Sequence, residues 1–138
     1  MRRIFIDCRE RIPCDPCQHA CPTGAIHIGR DITALPQIRP ELCAGCLRCV
    51  AACPGQACFL IDPDYGHGEA TVDFPYEYLP LPPAGAAAEA RNNLGETVCT
   101  GRVVQVLSPP VGDHTHIVRL AVPADKAVQV RGIKPWRA

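Results

Sequence analysis

Cys43-Ala44-Gly45-Cys46-Leu47-Arg48-Cys49-Val50-Ala51-Ala52-Cys53-Pro54 sets four cysteines three, three and four positions apart, with a proline directly after the last. The close spacing lets three thiolates wrap one inorganic centre while neighbouring backbone N–H groups turn toward it. The fourth cysteine follows one residue further on. Leu47 to Ala52 suits one or two helical turns, and the Cys53-Pro54-Gly55 break ends them. Shifted by 32 residues, the N-terminal half matches itself: Cys14, Cys17, Cys21 and Pro22 fall onto Cys46, Cys49, Cys53 and Pro54. Ala20 falls onto Ala52, Ala25 onto Ala57, Ile26 onto Cys58 and Ile28 onto Leu60. Ligand-like and apolar positions repeat together, as expected of two copies of one unit about a pseudo-two-fold axis.

Residues 8–62 therefore resemble a bacterial two-cluster [4Fe–4S] ferredoxin domain, whose ligand run has this spacing and whose fourth cysteine serves the other cluster. The resemblance covers about two fifths of the chain. Carried over by position, it implies that Cys43, Cys46, Cys49 and Cys21 hold one cluster. Cys14, Cys17 and Cys53 would hold the other, and the repeat puts its fourth ligand at Arg11, which cannot serve. Cys8 is the substitute, giving Cys8-x5-Cys14-x2-Cys17-x3-Cys21-Pro22 with a turn at Ile12-Pro13. The alternative is a [3Fe–4S] cluster with Cys8 free. Zinc fits less well, because structural zinc sites favour paired C-x2-C arms separated by a spacer.

Composition agrees with an inorganic core. Ten cysteines occur in 138 residues, and nine of them lie between Cys8 and Cys58. Without an apolar export signal at the N-terminus, that density points to ligation in place of disulfides. Fourteen basic and fourteen acidic side chains balance, so no bulk attraction to nucleic acid or an anionic membrane is expected. No stretch approaches the roughly 20 apolar residues of a membrane span. A cytoplasmic location is the resulting expectation.

Other chemistry-bearing residues have plainer readings. Cys58 stands where the first copy has Ile26 and reads as a small apolar side chain packed on a cluster. Cys99, in Thr97-Val98-Cys99-Thr100, reads as strand packing. His19 and His27 lie outside ligand spacing, and Asp113-His114-Thr115-His116 reads as a loop entering a strand. Ala25 to Ile28 and Ile32 to Leu35 read as two short strands around a turn. Beyond Asp62, cysteine nearly vanishes while prolines and β-type residues take over. Glu69 to Phe74 has strand character, Pro75 to Pro83 reads as an extended arm, and Ala84 to Glu96 reads as a flexible connection. Val98 to Leu107, His116 to Val122 and Val128 to Arg131 are strand candidates. The expected class is α+β: a two-cluster ferredoxin-like domain over 1–62, a proline-rich arm and linker over 63–96, and a small β-sheet or open-barrel extension over 97–138. The last reads as a partner-docking region.

No G-x-G-x-x-G after a strand, no P-loop and no nucleophile with a base at motif spacing occurs. The chain is thus expected to lack its own catalytic, flavin, nicotinamide or small-molecule substrate site. One-electron transfer is the chemistry such cubanes supply. Residues 1–60 carry seven arginines against five acidic residues, unlike an acidic diffusing carrier, and favour a fixed subunit. A further resemblance rests on Asp7-Cys8-Arg9-Glu10-x-Ile12-Pro13-Cys14-x-Pro16-Cys17, Tyr76-Glu77-Tyr78-Leu79-Pro80 and Val130-Arg131-Gly132-Ile133. These are similar to small dicluster iron–sulfur proteins associated with FAD-dependent dehydrogenases of amino acids, opines and amines. That resemblance implies a hetero-oligomer in which FAD sits on a partner subunit. An independent soluble ferredoxin, or a non-redox binding module with structural clusters, are the alternatives.

Overall fold

The computed structural model describes residues 3–8, 13–53, 57–108 and 115–136. Arg9, Glu10, Arg11, Ile12, Pro54, Gly55, Asp113 and His114, each part of a reading above, lie outside the described residues.

The described residues contain nine strands and two short α-helices, with 3-10 helices at Pro40–Leu42 and Ala124–Gln129. In order they are β1 (Arg3–Ile6), α1 (Pro16–Ala20), β2 (Ile26–His27), β3 (Gln37–Ile38), α2 (Arg48–Ala52), β4 (Cys58–Gly66), β5 (Glu69–Tyr76), β6 (Ala87–Arg91), β7 (Thr97–Leu107), β8 (His116–Pro123) and β9 (Gly132–Ile133). Seven strands form one antiparallel sheet in the order β1-β4-β5-β8-β7-β6-β9, and β2 pairs with β3 separately. The cysteine-rich segment from Cys8 to Cys53 is an insertion between two strands, β1 and β4, that pair with each other residue for residue from Arg3↔Ile61 to Ile6↔Cys58.

Strand alternation gives this sheet two functions. Phe59 and Ile61 of β4, Ala70, Val72, Phe74 and Tyr76 of β5, and Val118, Leu120 and Val122 of β8 build one apolar core. The intervening Cys58 and Leu60, with Ile4 of β1 and Ile117 of β8, face a second core shared with Cys17, Cys49, Leu47, Val50, Ile26 and Ile28. One core stabilises the sheet, and the other seats the cysteine unit upon it. Asp73, fully buried on β5, receives both Nε (2.8 Å) and an Nη (3.1 Å) of Arg119 on the adjacent β8.

Several segments differ from the sequence expectation. The stretch 63–96, read as arm and linker, contains the end of β4 and all of β5 and β6. Pro75 is accommodated inside β5 because β4 pairs with β5 only as far as Asp73, leaving Pro75 with β8 alone as its neighbour. The partner of β2 is Gln37–Ile38 and not Ile32 to Leu35. Asp31 diverts the latter into a turn, its carboxylate accepting from the Thr33 amide (3.1 Å) and hydroxyl (2.6 Å). Val128 and Gln129 end a 3-10 helix over Ala124–Gln129, and the short strand starts at Gly132. No helix of the described residues is long and apolar enough to cross a membrane.

Candidate metal centre

The sequence repeat is also a repeat of structure. Helices Pro16–Ala20 and Arg48–Ala52 are related by the same 32-residue shift. Each ends on a cysteine in extended conformation whose amide caps a cysteine carbonyl four residues back, Cys21 to Cys17 (3.2 Å) and Cys53 to Cys49 (3.0 Å). The change of backbone direction at that cap sends the fourth thiol of each run away from its own helix. Pro16 begins α1 without an amide to satisfy. Gln18 then fastens the helix to β2: its side-chain oxygen accepts from the Ile28 and Gly29 amides, both at 2.9 Å. Val50, the residue 32 positions later, does the corresponding work by burial in the shared core.

Two recesses lie between these elements. One is lined by Cys8, Cys14, Cys17 and Cys53, together with Cys58, Ile6, Ile28 and Ala34. The other is lined by Cys21, Cys43, Cys46 and Cys49 with Ile4, Ile26, Leu47 and Leu60. The crossover is plain in these sets: Cys53 of the second run faces the first recess, and Cys21 of the first run faces the second. Among the described residues no three His, Cys, Asp or Glu side chains gather as ligands of a single ion. The loop approaching α2 has Gly45 at φ 72° and Leu47 at φ 67°. A left-handed backbone is uncommon for leucine and persists where surroundings over-determine it. Leu47 is itself buried against the second recess.

The thiols of Cys21 and Cys14 are shifted in opposite directions. Burial raises the Cys21 thiol, but the Thr23 hydroxyl and the amides of Thr23, Ala25 and Ile26 outweigh it and hold it below its ordinary value. The equivalent Cys53 sulfur accepts from the Ala57 amide at 3.4 Å. Cys14 is pushed up, first by burial and then by the charges of Cys53, Cys17, Cys8 and Asp15. That repulsion is what a cationic centre among the sulfurs would relieve. The fit to iron–sulfur clusters is therefore good: soft thiolate donors in two sets of four, amides aimed at sulfur, and apolar walls.

Cys8, the ligand candidate outside the repeat, is placed by long-range contacts. The amide of its neighbour Asp7 donates to the Ala57 carbonyl at 2.8 Å. The Asp7 carboxylate receives Arg131 Nε at 3.0 Å, from 124 residues away. Arg131 also lies 4.3 Å over the Phe59 ring, which stacks on Phe5 of β1. No local pattern announces Arg131 as part of the site; only the sheet brings it there.

Cys58 is 1% exposed and packs as a wall of the first recess, in one buried cluster with Cys17 and Cys49 and with Cys53 against it. Hydrogen bonding to the thiols of Cys17, Cys49 and Cys53, with burial, pushes the Cys58 thiol up, and Cys17 is lowered in return. The signal available in the sequence was its alignment with Ile26, a wall position. Of the remaining residues, His19 is exposed and bonded to Asp15 at 2.8 Å, and His27 is exposed; neither lines a recess. His116 bonds Ser108 at 2.6 Å, and Cys99 packs against the sheet core.

Comparison with known proteins points to the same segment. Residues 35–57 match a family model described as a 4Fe-4S binding domain. The protein is similar to the B component of polysulfide reductase from Wolinella succinogenes, 44% identical over 48 residues, which is 35% of this chain and 24% of that protein. It is similar to Protein NrfC of Escherichia coli K12, 44% identical over 50 residues covering 34% of this chain and 22% of the relative. The B component of the Na(+)-translocating ferredoxin:NAD(+) oxidoreductase complex of Acetobacterium woodii is 50% identical over 38 residues, 28% of this chain and 11% of its own. The matched segment thus spans about a quarter or less of the length of these relatives. No solved structure matches the protein.

Proposed function

We propose that this chain binds two [4Fe–4S] clusters and serves as the electron-relay subunit of a larger oxidoreductase, beside a partner that oxidises amino acids, opines or related amines on FAD. In this reading Cys8, Cys14, Cys17 and Cys53 hold the first cluster, while Cys21, Cys43, Cys46 and Cys49 hold the second. When bound, the clusters supply reversible one-electron transfer. The chain's own residues hold the sulfurs in two sets, bury them between β4 and the helices, and exclude water with Ile4, Ile26, Ile28 and Leu60.

The observation that carries this reading is the crossed lining of two adjacent recesses by four thiols each. Sharing each cysteine run between both recesses forces the two centres to be neighbours, which is the geometry of a relay. The unit is a two-cluster ferredoxin-like insertion in a β-sheet, and the sheet is the surface left for a partner. Two of the named relatives, one from a reductase and one from an oxidoreductase complex, favour a fixed subunit over a diffusing carrier.

The test begins with anaerobically prepared full-length protein. About eight irons and eight sulfides per chain are expected, with an oxidised form silent in EPR. A zinc content in place of iron would refute the cluster reading. Affinity purification from the native host is expected to recover a flavoprotein dehydrogenase subunit. Recovery of the chain alone would refute the fixed-subunit reading and leave a ferredoxin-type carrier.

A further inference from the structure

The repeat makes the two recesses near-equivalent, yet one wall position differs between them. Ile26 lines the second recess, and its partner under the 32-residue shift, Cys58, lines the first. Strand parity fixes the direction of Cys58: Phe59 and Ile61 face the sheet core, so Cys58 and Leu60 face the cysteine unit. Pairing of Cys58 with Ile6 on β1 closes the other side. The thiol is 1% exposed, lines the first recess beside Cys17 and Cys53, and shares one buried cluster with Cys49 of the second set.

We propose that Cys58 is a positioning residue that makes the two cluster sites electronically unequal, by giving its S–H hydrogen to a ligand sulfur of the first recess where the second recess has only an aliphatic wall. The inference rests on the cluster reading above. Cys58 has one hydrogen to give, and the recess it lines is that of Cys8, Cys14, Cys17 and Cys53. Reduction adds negative charge to a cluster and its sulfurs. A donor aimed at a ligand sulfur stabilises the charged form more than the less charged one, so it raises the potential of that site. Ile26 offers no such donor. The two centres, otherwise related by the repeat, then differ in potential, which gives a one-electron relay an uphill and a downhill end.

The test is an anaerobic redox titration of the full-length protein, followed by EPR and visible absorption, for wild type, Cys58→Ala, Cys58→Val and Cys58→Ser with iron content matched. In Cys58→Ala, one of the two midpoints is expected to fall, by roughly a fivefold change in the reduced-to-oxidised ratio at fixed potential. At 59 mV per decade for one electron this is about 40 mV. The other midpoint should move less. Cys58→Val fills the space without a donor and should behave as Cys58→Ala does, covering the case in which the smaller side chain fails to load iron. Cys58→Ser keeps a donor and should restore most of the shift. Unchanged midpoints in iron-replete Cys58→Ala or Cys58→Val would overturn the proposal, as would loss of iron from Cys58→Ser. Wild-type protein without eight irons would instead sink the cluster reading beneath it, so the two failures are distinguishable.

Discussion

Replacing Arg131 by methionine keeps a long apolar stem but removes the charge that reaches across the molecule to the N-terminal strand. In the folded chain Arg131 Nε donates to Asp7 at 3.0 Å, and its guanidinium lies 4.3 Å from the Phe59 ring centre. A hydrogen bond to a charged group contributes about 1.5–3 kcal/mol, and a partly exposed cation–π contact about 0.5–1 kcal/mol. The Arg131 and Asp7 side chains are 25% and 16% exposed, so solvent screening reduces the sum. About 2 kcal/mol is a fair figure for the whole contact, or roughly a thirtyfold change in the fraction of chains with Asp7 docked. Cys8 follows Asp7 directly, and it is the one first-recess cysteine that the helical repeat does not place. Arg131→Met is therefore expected to weaken the first recess selectively. The assay is iron counting with EPR on the oxidised protein: a paramagnetic three-iron signal should grow at the expense of the silent form. Asp7→Asn should give the same signature, and Arg131→Lys a weaker one. If Arg131→Met and Asp7→Asn both kept full iron, a silent oxidised spectrum and unchanged thermal stability, the link from the sheet to Cys8 would be wrong.

Three further outcomes are expected. Asp73→Ala strands the Arg119 guanidinium in the sheet and should cost about 3–5 kcal/mol in urea unfolding, whereas the double change Asp73→Leu, Arg119→Met should recover most of it. Gly101→Ala would place a Cβ 2.8 Å from two Leu120 side-chain carbons and 2.9 Å from the Ala121 carbonyl oxygen, and should lower the urea midpoint by about 1–3 kcal/mol of stability without changing the slope. Chelating the iron under reducing conditions should abolish protection of amides from Cys14 to Cys53 in hydrogen exchange. Those of β5, β7 and β8 should stay protected, because their core contains no residue of the eight-cysteine set.

The cysteine spacing made much of the candidate site legible. Four-residue and three-residue steps are local, and local chain geometry fixes which thiols can share a centre. The ferredoxin resemblance, with Cys8 taken in place of Arg11, then implied the two sets of four that line the two recesses. The β-strands at Thr97–Leu107 and His116–Pro123 were also visible, because β-branched residues and alternation are local signals. The alanine-rich Ala87–Arg91 was not. Its strand exists because β7 and β9 flank it, a preference no side chain of its own announces. Asp31 overrode the β-pattern of the residues after it with a side-chain turn.

By itself, then, the sequence determined the donors: soft thiols at ligand spacing, which the resemblance to a two-cluster ferredoxin divides into two crossed sets of four. Tertiary structure decided the surroundings of those donors. Pairing of β1 with β4 made the cysteine unit an insertion in a sheet in place of a separate domain. The same pairing turned Cys58 toward the first recess, and the closed fold brought Arg131 to Asp7. The physical reason is range. Ligand spacing is written in covalent distance along the chain, whereas strand register and a hydrogen bond between residues 124 positions apart exist only after the chain has closed on itself.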